Sequence, residues 1–272
     1  MQLARILEIL EVIAPSQLAE KWDQVGLHLG DPQWPIKNIL LCIDLNEEVL
    51  AEAIQVNANL IVAYHPPIFS PLSRLCTSDW KQRVILTAAR HRIALYSPHT
   101  ALDATYGGVN DWLCSGLGKG SVRAIQPCIN PKSQSNHEVG QGRVLKLSRP
   151  ISPKLLIQRI KHHLANKYLH VTMLGTTAQK FLIQTIAICA GAGGPLVSSV
   201  SEADAYFTGE MRHHDVFSAT QNRKLVILAG HTQTERPYLP VYRQRILEKL
   251  RTENQRIKIQ ISFRDQAPLI VV

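Results

Sequence analysis

Predominantly apolar runs recur along this chain, each bounded by polar or turn-forming residues: 38–45, 58–64, 92–97, 182–189, 204–208 and 225–229. Short runs of this kind are what strands buried on both faces look like. Between them lie segments with helical periodicity. Leu3, Ile6, Leu7, Leu10 and Ile13 predict a helix over 3–13 that Pro15 ends. Asn46, with Glu47 and Glu48 behind it, supplies a capping residue and first-turn acids for a helix over 47–56. Further helices are expected over 80–90, 153–165 (with Pro153 at its first position), 195–202 and 236–252. A short strand within 22–32, closed by a Gly-Asp-Pro turn, and strands over 143–147, 168–174, 256–263 and 268–272 complete the pattern.

Alternating strands and helices give the fold class: α/β, two domains with mixed, largely parallel sheets covered by helices. The polar stretch 126–142, with Pro and Gly, is expected to link an N-terminal domain, 1–125, to a C-terminal domain, 143–272, whose last segments pack back on the first. At 272 residues and 45% hydrophobic, the chain has enough apolar material for two modest cores or one large one. Its mean hydropathy is near zero, which argues against disorder.

Five widely spaced cysteines contain no Cys-x-x-Cys pair, so neither a zinc knuckle nor a disulfide framework is indicated. No apolar stretch approaches the roughly 18 residues that cross a bilayer. The first ten residues lack the order of a signal peptide, and no mitochondrial leader is seen. The expected location is the cytoplasm. The net charge of +9 is concentrated in residues 119–170, where ten Lys and Arg face only Glu138. Such a segment suits an anionic small-molecule ligand or nucleic acid, or is a solvated surface. Tyr168 is its only aromatic ring, so direct nucleic-acid binding ranks last.

Three strands lead directly into metal-competent side chains. Residues 60–64 run into His65-Pro66-Pro67, residues 93–97 into His99 and Asp103, and residues 225–229 into His231 and Glu235. Ligands of open α/β sheets sit at the carboxyl ends of the strands, so these groups can converge on one site. His231 and Glu235 are spaced i, i+4, and a helix starting after the strand would put both on one face. The alternative is a helix cap at Thr234 with Glu235 complementing the dipole. Imidazole with carboxylate suits zinc, manganese or iron. Gly191-Ala192-Gly193-Gly194 is either an anion-holding loop or a tight strand-to-helix turn. His213-His214-Asp215 offers a further acid–base group.

Six motifs in order carry a resemblance: Trp22-Asp23-Gln24-Val25-Gly26-Leu27, Tyr64-His65-Pro66-Pro67, His99-Thr100-Ala101-Leu102-Asp103, Ala190-Gly191-Ala192-Gly193-Gly194, 203–210, and Gly230-His231-Thr232-Gln233-Thr234-Glu235. Together they resemble the Nif-three-like family, also catalogued as GTP cyclohydrolase 1 type 2 homologues, and the Tyr-His-Pro-Pro form looks closest to its animal members. The resemblance implies a metal site between two α/β domains, one or two divalent ions per chain, and homo-oligomers, either dimers or hexamers. It maps the metal ligands onto His65, Asp103, His231 and Glu235. Where the family often has His-His-Pro, this chain has Tyr64, and a phenol is a poor ligand near neutral pH. Two functions follow as expectations. One is a metal-dependent hydrolase of a nucleotide-like or phosphorylated small molecule, with His99 or His214 moving protons. The other is a non-catalytic transcriptional co-regulator of corepressor type, acting through protein partners.

Overall fold

Two separate sheets organise the chain in the computed structural model, which describes residues 1–128, 138–172, 181–253 and 256–269. One compact unit consists of Met1–Leu102 and Leu239–Pro268; the other runs over Asp103–Tyr238 and takes in Leu269.

The sheet of the first unit comprises β1 (Gly26–Leu29), β2 (Asn38–Cys42), β3 (Leu60–Ala63), β4 (Ala94–Ser97) and β11 (Lys258–Ile261), in the order β1-β4-β3-β2-β11. β11, β2, β3 and β4 are parallel, and β1 runs antiparallel along β4 at one edge. β3 and β4 are buried at every position, including Ser97 at the end of β4, whose hydroxyl donates to Tyr64 O. Helix α1 (Leu3–Ile13) buries Leu3, Ile6, Ile9, Leu10 and Ile13, the predicted stripe except that Ile9 is buried and Leu7 only partly so. In α2 (Glu47–Gln55) the Asn46 side chain accepts the amide of Val49, and in α3 (Trp80–Arg90) Asp79 does the same for Gln82. The C-terminal α9 (Leu239–Leu250) follows two 3-10 turns, because Pro237 and the loop before it delay the α-helix relative to the expected start.

The sheet of the second unit comprises β5 (Gly120–Pro127), β6 (Gly140–Ile151), β7 (His170–Val171), β8 (Ile183–Cys189), β9 (Ala205–Thr208) and β10 (Leu225–Leu228), in the order β5-β6-β8-β9-β10-β7. β8, β9 and β10 are parallel, and the flanking strands are antiparallel. The 126–142 stretch enters this sheet at both ends, with Pro127 opposite Gly140; residues 129–137 lie outside the described residues. β5 was not foreseen because it is an edge strand with one fully buried position, Ala124, and so lacks an apolar run. Of the expected strand over 168–174, only His170–Val171 is strand among the described residues, and 173–174 lie outside them; of that over 268–272, residues 268–269 are not strand and 270–272 lie outside the described residues. Helix α4 (His99–Ala104), α5 (Val109–Ser115) and α8 (His213–Gln221) are short elements that the periodicity did not single out. In α6 (Pro153–Leu164) Ser152 caps the helix and Pro153 opens it. α7 (Gly194–Ser198) is shorter than predicted.

Candidate functional site

Parallel register aligns chemistry along the carboxyl edge of the first sheet. Cys42 pairs with Ala63 and Val62 with Tyr96, so Asp44, His65 and His99, each two residues past its strand end, stand at one level on neighbouring strands. The main chain continues this pairing, with the His65 amide donating to Ile43 O at 3.0 Å. His65 Nδ1 lies 2.9 Å from Asp44 Oδ1. His99 Nδ1 lies 2.7 Å from Asp23 Oδ1, and the Asp23 side chain is fully closed from solvent. Asp23 also accepts the amide and hydroxyl of Thr100. Burial works to raise the Asp23 carboxyl pKa, but the bonds from His99 and Thr100 outweigh it and hold the group below its usual range. His99 begins α4 at φ +27°, a strained conformation that the Asp23 contacts hold in place. The His65 and His99 rings stand 5.4 Å apart, edge to face, with the buried Tyr64 ring against both.

A second group forms at the same edge of the second sheet. β10 ends at Leu228, and His231 and Glu235 follow on either side of a 3-10 turn, Thr232–Thr234. The expected α-helix is absent here, yet the turn brings His231 Nε2 to 3.4 Å from Glu235 Oε1. Thr234 does not cap a helix. Its hydroxyl donates to His231 O and accepts the Gly191 amide at 2.9 Å, tying this loop to the end of β8. Glu235 is 3% exposed. His231 Nδ1 lies 3.0 Å from Glu210 Oε2, an acid that follows β9.

Gly191 covers the pair. It sits at φ +58°, and a Cβ there would come within 2.6 Å of Glu235 Oε1 and 3.1 Å of His231 Nε2. Gly209 is equally restricted, with Gly191 O 2.6 Å from where its Cβ would be. Two donors each about 2.0–2.1 Å from a tetrahedral ion stand roughly 3.3 Å apart, so the His231–Glu235 spacing is that of two ligands sharing one cation. A carboxylate on Nδ1 fixes the imidazole tautomer and turns the Nε2 lone pair outward, the arrangement common behind metal-bound histidines. His65 and His231 both have it. The donor set fits a borderline divalent ion.

The sequence profile of the family described as Duf34/NIF3 (NGG1p interacting factor 3) matches residues 1–268. The chain belongs to the Duf34/NIF3 family. It is 38% identical to NIF3-like protein 1 of Drosophila melanogaster, over all of this chain and 89% of that protein. It is 32% identical to NGG1-interacting factor 3 of Saccharomyces cerevisiae, over 99% of this chain and 97% of that protein. The solved structure of a Bacillus cereus protein related to NIF3 superposes with a TM-score of 0.86 at 21% identity, over 100% of this chain and 99% of the other, and shares the fold. No helix among the described residues of this NIF3 member is long and apolar enough to cross a membrane.

Of the residues expected at the site, His65 and His99 meet in the first unit, and His231 and Glu235 meet in the second. Asp103 lies on α4, one turn after His99, and its carbonyl accepts from Asn110 Nδ2 at 3.2 Å. His214 is exposed on the first turn of α8, with its ring against His213. Two amides of the glycine loop are taken up within the fold. Gly191 N and Gly193 N are bound by the hydroxyls of Thr234 and Thr208. Sequence reasoning gave no role to Asp23, Asp44 and Glu210. Asp44 and Glu210 each stand two residues past a strand that neighbours a histidine-bearing one, a relation that shows only once the strand order is known.

Proposed function

We propose that this NIF3 member is a metal-dependent hydrolase of a nucleotide-like or phosphorylated small molecule. In this reading His231 and Glu235, joined by His65 and Asp103, hold one or two ions of zinc, manganese or iron. The observation that carries it is the pairing of partly exposed His231 with buried Glu235, spaced as ligands and roofed by a glycine whose missing side chain keeps the space open. A bound divalent ion supplies Lewis acidity toward the scissile bond. The chain's own residues do the rest. Glu210 and Asp44 hold His231 and His65 with Nε2 outward. Asp23 holds His99 in the same way, leaving its Nε2 to take up and return a proton beside the reacting group. His214 is the second proton carrier in this account. The test is turnover by the metal-loaded chain across a panel of nucleotides and phosphoesters. We expect hydrolysis of at least one, reduced at least 100-fold by Glu235→Gln, whereas a fully loaded protein inert to the whole panel would overturn the proposal.

A second reading has its own support. The yeast relative is named for interaction with NGG1, and Tyr64 is a buried ring where the family often carries a histidine. A co-regulator in cytoplasm and nucleus, working through a transcription-related protein partner as a dimer or hexamer, would keep its partner when the metal is lost. Co-precipitation of such a partner by folded Glu235→Ala would favour it. Loss of the partner with the fold intact would count against it.

A further inference from the structure

The first unit exposes two large aromatic side chains beside its histidine edge. Trp22 is 56% exposed and Phe69 49% exposed, so both forgo much of the burial that usually stabilises such rings. They come from different loops, Trp22 before β1 and Phe69 after β3, and still meet with ring centroids 6.0 Å apart. Their planes are inclined at 53°, so neither ring covers the face of the other. Trp22 also lies 6.0 Å from the His99 ring, edge-on at 75°.

The indole is exposed but anchored. Asp23, the next residue, is buried under His99 and the Thr100 amide and hydroxyl, and the Glu20 amide is bound by the Thr100 hydroxyl at 2.9 Å. The backbone on both sides of Trp22 is thus tied to the start of α4. A ring with a free face, held at a fixed place beside an oriented imidazole, is suited to stacking a flat partner. Ring-on-ring contact of this kind favours planar heteroaromatic systems and tolerates their substituents, as aromatic platforms for nucleobases do.

We propose that Trp22 and Phe69 form a recognition subsite for a planar heteroaromatic ring, of nucleobase type, carried by the ligand of this edge. The proposal rests on the hydrolase reading only for what happens next to the ring; the stacking itself can be measured separately. The experiment is calorimetric titration of the full, metal-loaded chain with the four nucleoside 5′-monophosphates and with ribose 5-phosphate, which keeps sugar and phosphate but has no ring. At least one nucleotide should bind tenfold or more tighter than ribose 5-phosphate. Trp22→Leu should bring that nucleotide down to the ribose 5-phosphate level with metal content unchanged, Trp22→Phe should retain most of the preference, and Phe69→Ala should lose part of it.

Equal binding with and without the ring, no binding of any monophosphate, or an unchanged preference in Trp22→Leu would overturn the subsite. So would a fall in assembly mass on Trp22→Leu, which would assign the rings to a contact between copies of the chain. Ring preference in a protein that hydrolyses nothing would defeat the hydrolase and leave the subsite standing, and turnover without ring preference would do the reverse.

Discussion

Gly191 governs whether His231 and Glu235 can share an ion. A methyl group there would meet Glu235 Oε1 at 2.6 Å and would also be strained at φ +58°. Gly191→Ala should therefore weaken metal affinity at least tenfold in a chelator competition and destabilise the fold by about 1–3 kcal/mol in urea. Glu210→Gln is a milder test of the same geometry. It keeps the shape but removes the charge behind His231 Nδ1, and metal affinity should fall about 10–100-fold with stability nearly unchanged. Unchanged affinity in both variants would mean that His231 is not a ligand. The histidines themselves were legible because each follows an apolar run into a turn. Their carboxylate partners were not, because pairing Asp44 with His65 or Glu210 with His231 requires the order of strands, which no local pattern encodes.

At the scale of elements, the C-terminal segment supports the edge from behind. β11 pairs with β2, and the buried Asp265 accepts the Ile43 amide at 2.6 Å and the Asp44 amide at 3.3 Å, at the point where β2 delivers Asp44 to His65. Glu52 on α2 fastens the same segment, accepting the Ser262 hydroxyl and the amides of Phe263 and Arg264. Burial works to raise the Glu52 carboxyl pKa, but these bonds prevail and hold it below its usual value of 4.5. A pKa lower in the folded than in the unfolded chain means that the ionised form stabilises the fold. That contribution is present above the ordinary value and is lost as pH falls through the folded one. Melting temperatures of wild type and Glu52→Gln should accordingly differ at neutral pH and draw together below about pH 4.5. A gap that stays constant on acidification would contradict this. The sequence pattern carried the buried strands and the main helices well. It failed at the 3-10 turn of 232–234, where i, i+4 spacing suggested an α-helix and the hydroxyl of Thr234 instead ties the loop to Gly191.

For the whole molecule, the concentrated positive charge invites a nucleic-acid reading that the side chains weaken. Arg143 is 1% exposed and donates to Asp111 and to the carbonyls of Gly140, Gly142, Ala104 and Thr105. Arg159 donates to Leu117 O, and Arg123 is paired with Glu202. Part of the basic excess is therefore tied up within the fold, and the proposed chemistry lies at the two strand edges. The measurement that tests this most directly is metal content per chain by mass spectrometry, on protein purified without chelator and after reloading with zinc, manganese or iron, with Glu235→Ala alongside. The account predicts one or two ions per wild-type chain and their loss in a folded Glu235→Ala variant. A folded wild type that stays empty after reloading would contradict it.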